Sequence, residues 1–110
     1  MDFNEFQLLA GRTINGDLSK EEQLANMAAG LCGEAGECID LVKKHLYQGH
    51  ELDEEKLLEE AGDVLWYLAG LCTVLRTHME YIAEKNIDKL RRRYPGNGFD
   101  AACSINRKED

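Results

Sequence analysis

Leu24, Met27, Ala28, Leu31, Ala35, Cys38, Val42 and Leu46 recur at intervals of three and four, the spacing that lines one side of a helix. The stripe predicts one long helix. Ser19-Lys-Glu-Glu22 opens it as a capping box, the serine covering free amides and the glutamate reaching back, and Gly49 stops it. A second stripe, Leu57, Leu58, Ala61, Val64, Leu65, Leu68, Cys72 and Leu75, follows Asp53 and predicts a helix running to Arg76. From Val64 onward that segment is apolar nearly all round, which suits a helix buried on more than one side. A shorter helix is predicted from about Asp2 to Arg12, ending in the Asn15-Gly16-Asp17 turn. A fourth follows Thr77-His-Met-Glu80, read as a second capping box, and runs to about Arg93 before Pro95-Gly96-Asn97-Gly98 stops it. Strand-like alternation is confined to a few short stretches, so the expected class is all-α, a four-helix domain over residues 1–99. Residues 100–110 have little to bury and are expected to form a mobile tail.

Composition narrows the partners. At 110 residues the chain is one domain, and 13 Lys plus Arg against 21 Asp plus Glu leave a formal charge of -8. That balance argues against a nucleic-acid polymer, whose phosphate backbone is held by cations. The opening MDFNEFQLLAGR carries two acids before its first base, unlike a secretory leader. The longest uncharged run, Val64 to Leu75, is twelve residues, too short for a bilayer. A soluble, cytoplasmic chain is expected, and its four cysteines, without CxxC spacing, are expected to be reduced, buried thiols.

The acids are placed less ordinarily. Glu34 and Glu37, three apart, lie about 60° apart on a helix and project from one face, at the edge of the apolar stripe. Glu60 and Asp63 repeat the arrangement on the next helix. A lone pair of glutamates so spaced is usually a solvated face. Two pairs on adjoining helices can instead converge if the helices pack antiparallel, and four converging carboxylates need a neutralising charge. An all-oxygen ligand set favours Mg²⁺, with Mn²⁺ as a substitute. A di-iron bundle would need Glu-x-x-His pairs, and none of His45, His50 or His78 has a glutamate three positions before it. Gly30, Gly33, Gly36 and Gly62 fall inside the same two helices, each costing up to about 1 kcal/mol relative to alanine, so something is expected to approach closely there.

Glu34-x-x-Glu37 followed by Glu60-x-x-Asp63, with 22 residues between, resembles the E-x-x-E…E-x-x-D signature of the MazG-like nucleoside triphosphate pyrophosphohydrolases, all-α enzymes that use Mg²⁺. "GLCGEAGECIDLVKK" is similar to that family's second helix, "LLEEAGDVLWYLAGL" to its third, and "NIDKLRRRYPGNGF" to its closing helix and turn. The resemblance spans roughly residues 24 to 99. It departs at Pro95-Gly96-Asn97-Gly98-Phe99, which has one residue more than the family's R-Y-P-x-G-F turn.

The resemblance implies hydrolysis of a nucleoside triphosphate, ribose or deoxyribose, to the monophosphate and pyrophosphate. It implies Glu34, Glu37, Glu60 and Asp63 as metal ligands, with Glu34 or Glu37 as the group that takes a proton from the attacking water. Glu59 is the weaker fifth acid beside them. Asn86, Lys89 and Arg93 fall on one face of the fourth helix, where they can hold the triphosphate, and Arg92 can share that role. Tyr67, four residues after Asp63, can contact the sugar or base; Lys44, on the Glu37 side, is a further phosphate candidate, and Trp66 belongs to the core. The all-round apolar third helix, like the family, points to a homodimer or homotetramer. The reading from a different class is a non-catalytic acidic helical module that binds a partner or regulates through the same fold.

Overall fold

A computed structural model describes residues 1–107 of the chain. The described residues form five helices: α1 (Phe3–Gly11), α2 (Lys20–Tyr47), α3 (Glu54–Val74), α4 (Met79–Arg93) and α5 (Ala101–Ile105). The molecule is all-α, with the four expected helices and one more. Two compact units are distinguished, Met1–His78 carrying α1 to α3 and a second beginning at Met79.

Short polar residues start the helices by accepting from amides that lack a carbonyl partner. Asp2 accepts from the Glu5 amide at 2.8 Å, and Asp53 from the Lys56 amide at 3.0 Å. The Ser19 box on α2 is complete: Ser19 Oγ accepts from the Glu22 amide at 3.1 Å, and the Ser19 amide donates to the Glu22 carboxylate at 3.0 Å. Gly49 ends α2 in the left-handed conformation, φ 75°, which glycine adopts without steric cost. At the end of α3 the same left-handed position is held by Arg76, φ 56°.

α3 packs against both α2 and α1. Against α2 the contacts run antiparallel in one register: Met27 lies on Gly70, Gly30 on Tyr67, and Glu34 beside Asp63. Steps of three and then four residues forward on α2 match the same steps backward on α3, so the two stripes mesh turn by turn. Gly30 and Gly70 are glycine for a local reason. A Cβ at Gly30 would fall inside the Tyr67 ring, and one at Gly70 would strike the Met27 sulfur. Gly33, Gly36 and Gly62 face open space within this chain.

α1 is tied to α3 through polar side chains. The Trp66 indole N–H donates to Thr13 Oγ1 at 2.8 Å, its ring edge-on to Tyr67 with centroids 4.9 Å apart. Buried Gln7 donates to the Thr77 carbonyl at 2.8 Å and to Thr73 Oγ1 at 3.3 Å. Trp66 is thus half-buried with a bonded nitrogen, as a packed indole requires.

In the second unit, Tyr94 and Phe99 meet at 5.8 Å between centroids across a turn in which Asn97 takes φ 65°. Residues expected to be a tail carry α5, which Asp100 caps by accepting from the Ala102 and Cys103 amides at 2.8 and 3.3 Å. Part of that tail, residues 108–110, lies outside the described residues. The expectation of buried thiols needs correction. Only Cys72 is buried, Cys38 and Cys103 are half-buried, and Cys32 is exposed. Cys32 stands five residues beyond buried Met27, about 140° around the helix, and so turns away from α3. Among the described residues no helix is long and apolar enough to cross a membrane.

Candidate metal centre

The antiparallel register brings acids together from both helices. Glu34 of α2 and Glu60 and Asp63 of α3 each offer a carboxylate oxygen within 4.8 Å of the others. The burial is graded: Glu60 is 9 % exposed, Glu34 is half-buried and Asp63 is open to solvent. Such a set has one enclosed side and one reachable side. Glu37, one turn beyond Glu34, is exposed and stands outside the three, though near enough for its charge to act on Glu34.

The electrostatics follow from the crowding. A hydrogen bond shared with Glu60 is the largest influence raising the Glu34 carboxyl above its ordinary value; desolvation and the charges of Asp63, Glu60 and Glu37 push the same way. One cation sits in the group, and the sequence reading did not name it. Lys56 Nζ lies 3.4 Å from Glu60 and 3.6 Å from Glu59, and its hydrogen bond to Glu60 leads the causes that hold its ammonium charged. Its signal was the i, i+4 spacing of Lys56 and Glu60 on one helix. Glu59 points outward with Lys56, its side chain 70 % exposed.

The donor set suits a hard divalent cation. All three groups are carboxylates, none of the histidines is among them, and Cys38 and Cys32 are not part of the cluster. A dication would relieve the repulsion among the three carboxylates, which Lys56 alone offsets through Glu60.

The remaining residues are distributed as follows. Tyr67 is half-buried on Gly30, one turn beyond Asp63 on α3. Lys44 is paired with Asp40 at 2.9 Å, with Glu37 adding a smaller attraction. On α4, Asn86, Lys89 and Arg92 line one depression of about 400 Å³ together with Lys85. Arg93, expected on that face, lies over the Tyr94 ring instead, 6.0 Å from its centroid. Arg92, three residues after Lys89, lines the depression beside it.

Residues 22–97 match the MazG nucleotide pyrophosphohydrolase domain. The gene 37 protein of Mycobacterium phage L5 is 35 % identical over 82 residues, which cover 71 % of this chain and 72 % of the phage protein. No solved structure matches the chain. With more than half its length inside the domain, and the acids of α2 and α3 in one cluster, the chain belongs to the MazG nucleotide pyrophosphohydrolase family.

Proposed function

We propose that the protein is a Mg²⁺-dependent hydrolase that cleaves nucleoside triphosphates to the monophosphate and pyrophosphate, acting on ribo- or deoxyribonucleotides or both. The observation that carries this reading is the convergence of Glu34, Glu60 and Asp63, hard oxygen donors from two helices, within 4.8 Å. Those three residues would hold the cation, Mg²⁺ or in its place Mn²⁺. When bound, the cation supplies charge neutralisation for phosphate oxygens and a more acidic water.

The chain's own groups do the rest. Glu37 is exposed and outside the three-acid group, so its carboxylate is free to take the proton as water adds to the α-phosphorus; Glu34 is the other candidate for that role. The bond between the α-phosphorus and its bridging oxygen breaks, and pyrophosphate leaves with the electron pair. Asn86, Lys89 and Arg92 offer an amide and two cations on one face of α4, donors matched to phosphate oxygens. Lys44 and Arg93 are less suited to substrate, being engaged with Asp40 and Tyr94. Tyr67 is positioned by Gly30 and can present its ring edge or hydroxyl to the nucleoside.

An assembly of two or four copies completes this reading. Ile39, Leu46, Tyr47 and Leu58 on the α2–α3 hairpin are 63, 62, 80 and 64 % exposed, more apolar surface than a lone chain keeps in water. A cytoplasmic role in removing unwanted nucleotides fits such an activity.

The test is to incubate the protein with Mg²⁺ and a panel of NTPs and dNTPs, separating pyrophosphate from orthophosphate. Monophosphate plus pyrophosphate, lost with EDTA and in Glu60→Gln or Asp63→Asn, supports the reading. No turnover alongside a clear Mg²⁺-dependent rise in melting temperature would instead favour a binding or regulatory module.

A further inference from the structure

Outside the acid cluster, the first unit has an open depression of about 660 Å³ along one side of α1, from Asn4 to Arg12, beside the C-terminal end of α3. Its lining includes Arg12, Arg76 and His78, the side chains of Thr73 and Thr77, and no carboxylate. In a chain of net charge -8 that is an unusual concentration of one sign. Lys43, Lys44, Lys56 and Arg91 each have an acid within 3.6 Å, whereas neither Arg12 nor Arg76 has an ion pair among the described residues. We propose that this depression is an oxyanion site, taking a small phosphate-bearing molecule between the guanidinium groups of Arg12 and Arg76.

The backbone at Arg76 argues for a role of its side chain. At φ 56° this position closes α3, with the Thr77 amide donating to the Cys72 carbonyl at 2.9 Å and the Arg76 amide to Thr73 at 3.1 Å. Glycine is the usual residue at such a helix end, since a side chain there costs steric energy. Gly49 fills the matching position on α2. Arginine at the second such position keeps the cost and adds a planar, always charged fork suited to phosphate oxygens.

The plainer explanation is that both arginines complement the negative ends of two helix dipoles. The carbonyls at those ends are already engaged. Leu9, Ala10 and Gly11 accept from the Arg12, Thr13 and Ile14 amides, and Leu71, Cys72 and Thr73 from the Leu75, Thr77 and Arg76 amides. The guanidinium donors are therefore not consumed as caps, and a dipole requires no arginine at a left-handed position. Thr73 stands ten residues beyond Asp63 on α3, about 15 Å along the axis, and none of Glu34, Glu60 and Asp63 lines the depression.

The experiment is a titration of the full, isotope-labelled chain with inorganic phosphate and then pyrophosphate in EDTA, followed by amide chemical shifts. Saturable shifts are expected at Gly11 to Thr13 and Thr73 to His78. Arg76→Gly should weaken binding about tenfold or more, the scale of one charge-assisted pair, while the melting temperature holds or rises because glycine accepts this backbone. Arg12→Gln should weaken it similarly. Glu60→Gln should leave it intact, which separates this site from the metal-dependent hydrolysis. Linear, unsaturating shifts, or equal binding by Arg76→Gly, would overturn the proposal. So would absent shifts with altered sedimentation of Arg76→Gly, which would give the arginines to a carboxylate of a second copy.

Discussion

Glu34 binds its proton more tightly in the folded chain than in the unfolded one, because Glu60 shares a hydrogen bond with it and its neighbours are acids. Since the folded state holds the extra proton, this residue's contribution favours folding at low pH and is lost as pH rises from its ordinary value through its raised one. In EDTA, Glu34→Gln should therefore gain stability over the parent at pH 7 and show little gain at pH 4. Denaturant melts at the two values check the sign. The same variant should lose most of the Mg²⁺-dependent rise in melting temperature, because a ligand is gone. Gly30 and Gly62 make a second contrast at this scale. Gly30→Ala gains helix propensity of about 1 kcal/mol but drives a methyl into the Tyr67 ring, where overpacking costs about 1–3 kcal/mol, so a net loss is expected. Gly62→Ala meets nothing within 4 Å and should gain up to about 1 kcal/mol. A loss there, measured by thermal unfolding, would mean that something outside this chain presses on that turn.

The helices themselves rest on local signals, and those were readable. Ser19 and Glu22 announced α2 because a capping box is written within four consecutive residues, and the box is complete. Ser19→Ala should cost about 1 kcal/mol in chemical denaturation, with the Mg²⁺ response unchanged since the acids lie four turns away. Stripe edges also placed Glu34, Glu60 and Asp63 correctly relative to the core. What spacing could not give was which turn of α2 meets which turn of α3, because stripes slide past each other until side-chain shape decides. Met27 on Gly70 and Gly30 on Tyr67 supply that shape. The register leaves Glu37 just outside the three-acid group, whereas Lys56, a residue on no stripe, meets Glu60 through i, i+4 spacing on α3 alone. α5 was missed because a five-residue helix has too few positions to show a period, although Asp100 before two alanines was its cap.

At the scale of the whole molecule the deficit is apolar burial. Among the described residues Ala10, Met27, Ala69, Cys72, Val74 and Met79 are the buried apolar side chains, and most are small. The most exposed apolar side chains of the hairpin, Ile39, Leu46, Tyr47 and Leu58, lie outside the all-round apolar run of α3, whose residues 64–72 are buried or half-buried, so that run did not announce them. Ile39→Asp or Leu46→Asp, placed on side chains more than 60 % exposed, should leave the helical signal intact yet shift sedimentation toward the monomer. Unchanged sedimentation in both would move the contact to another face. The meshing of α2 with α3 also has a hereditary side. A glycine occupied by a neighbour's ring cannot acquire a side chain unless that ring shrinks in the same lineage, so positions 30 and 67, like 27 and 70, should change together among descendants of this chain, leaving a paired record of the register in sequences alone.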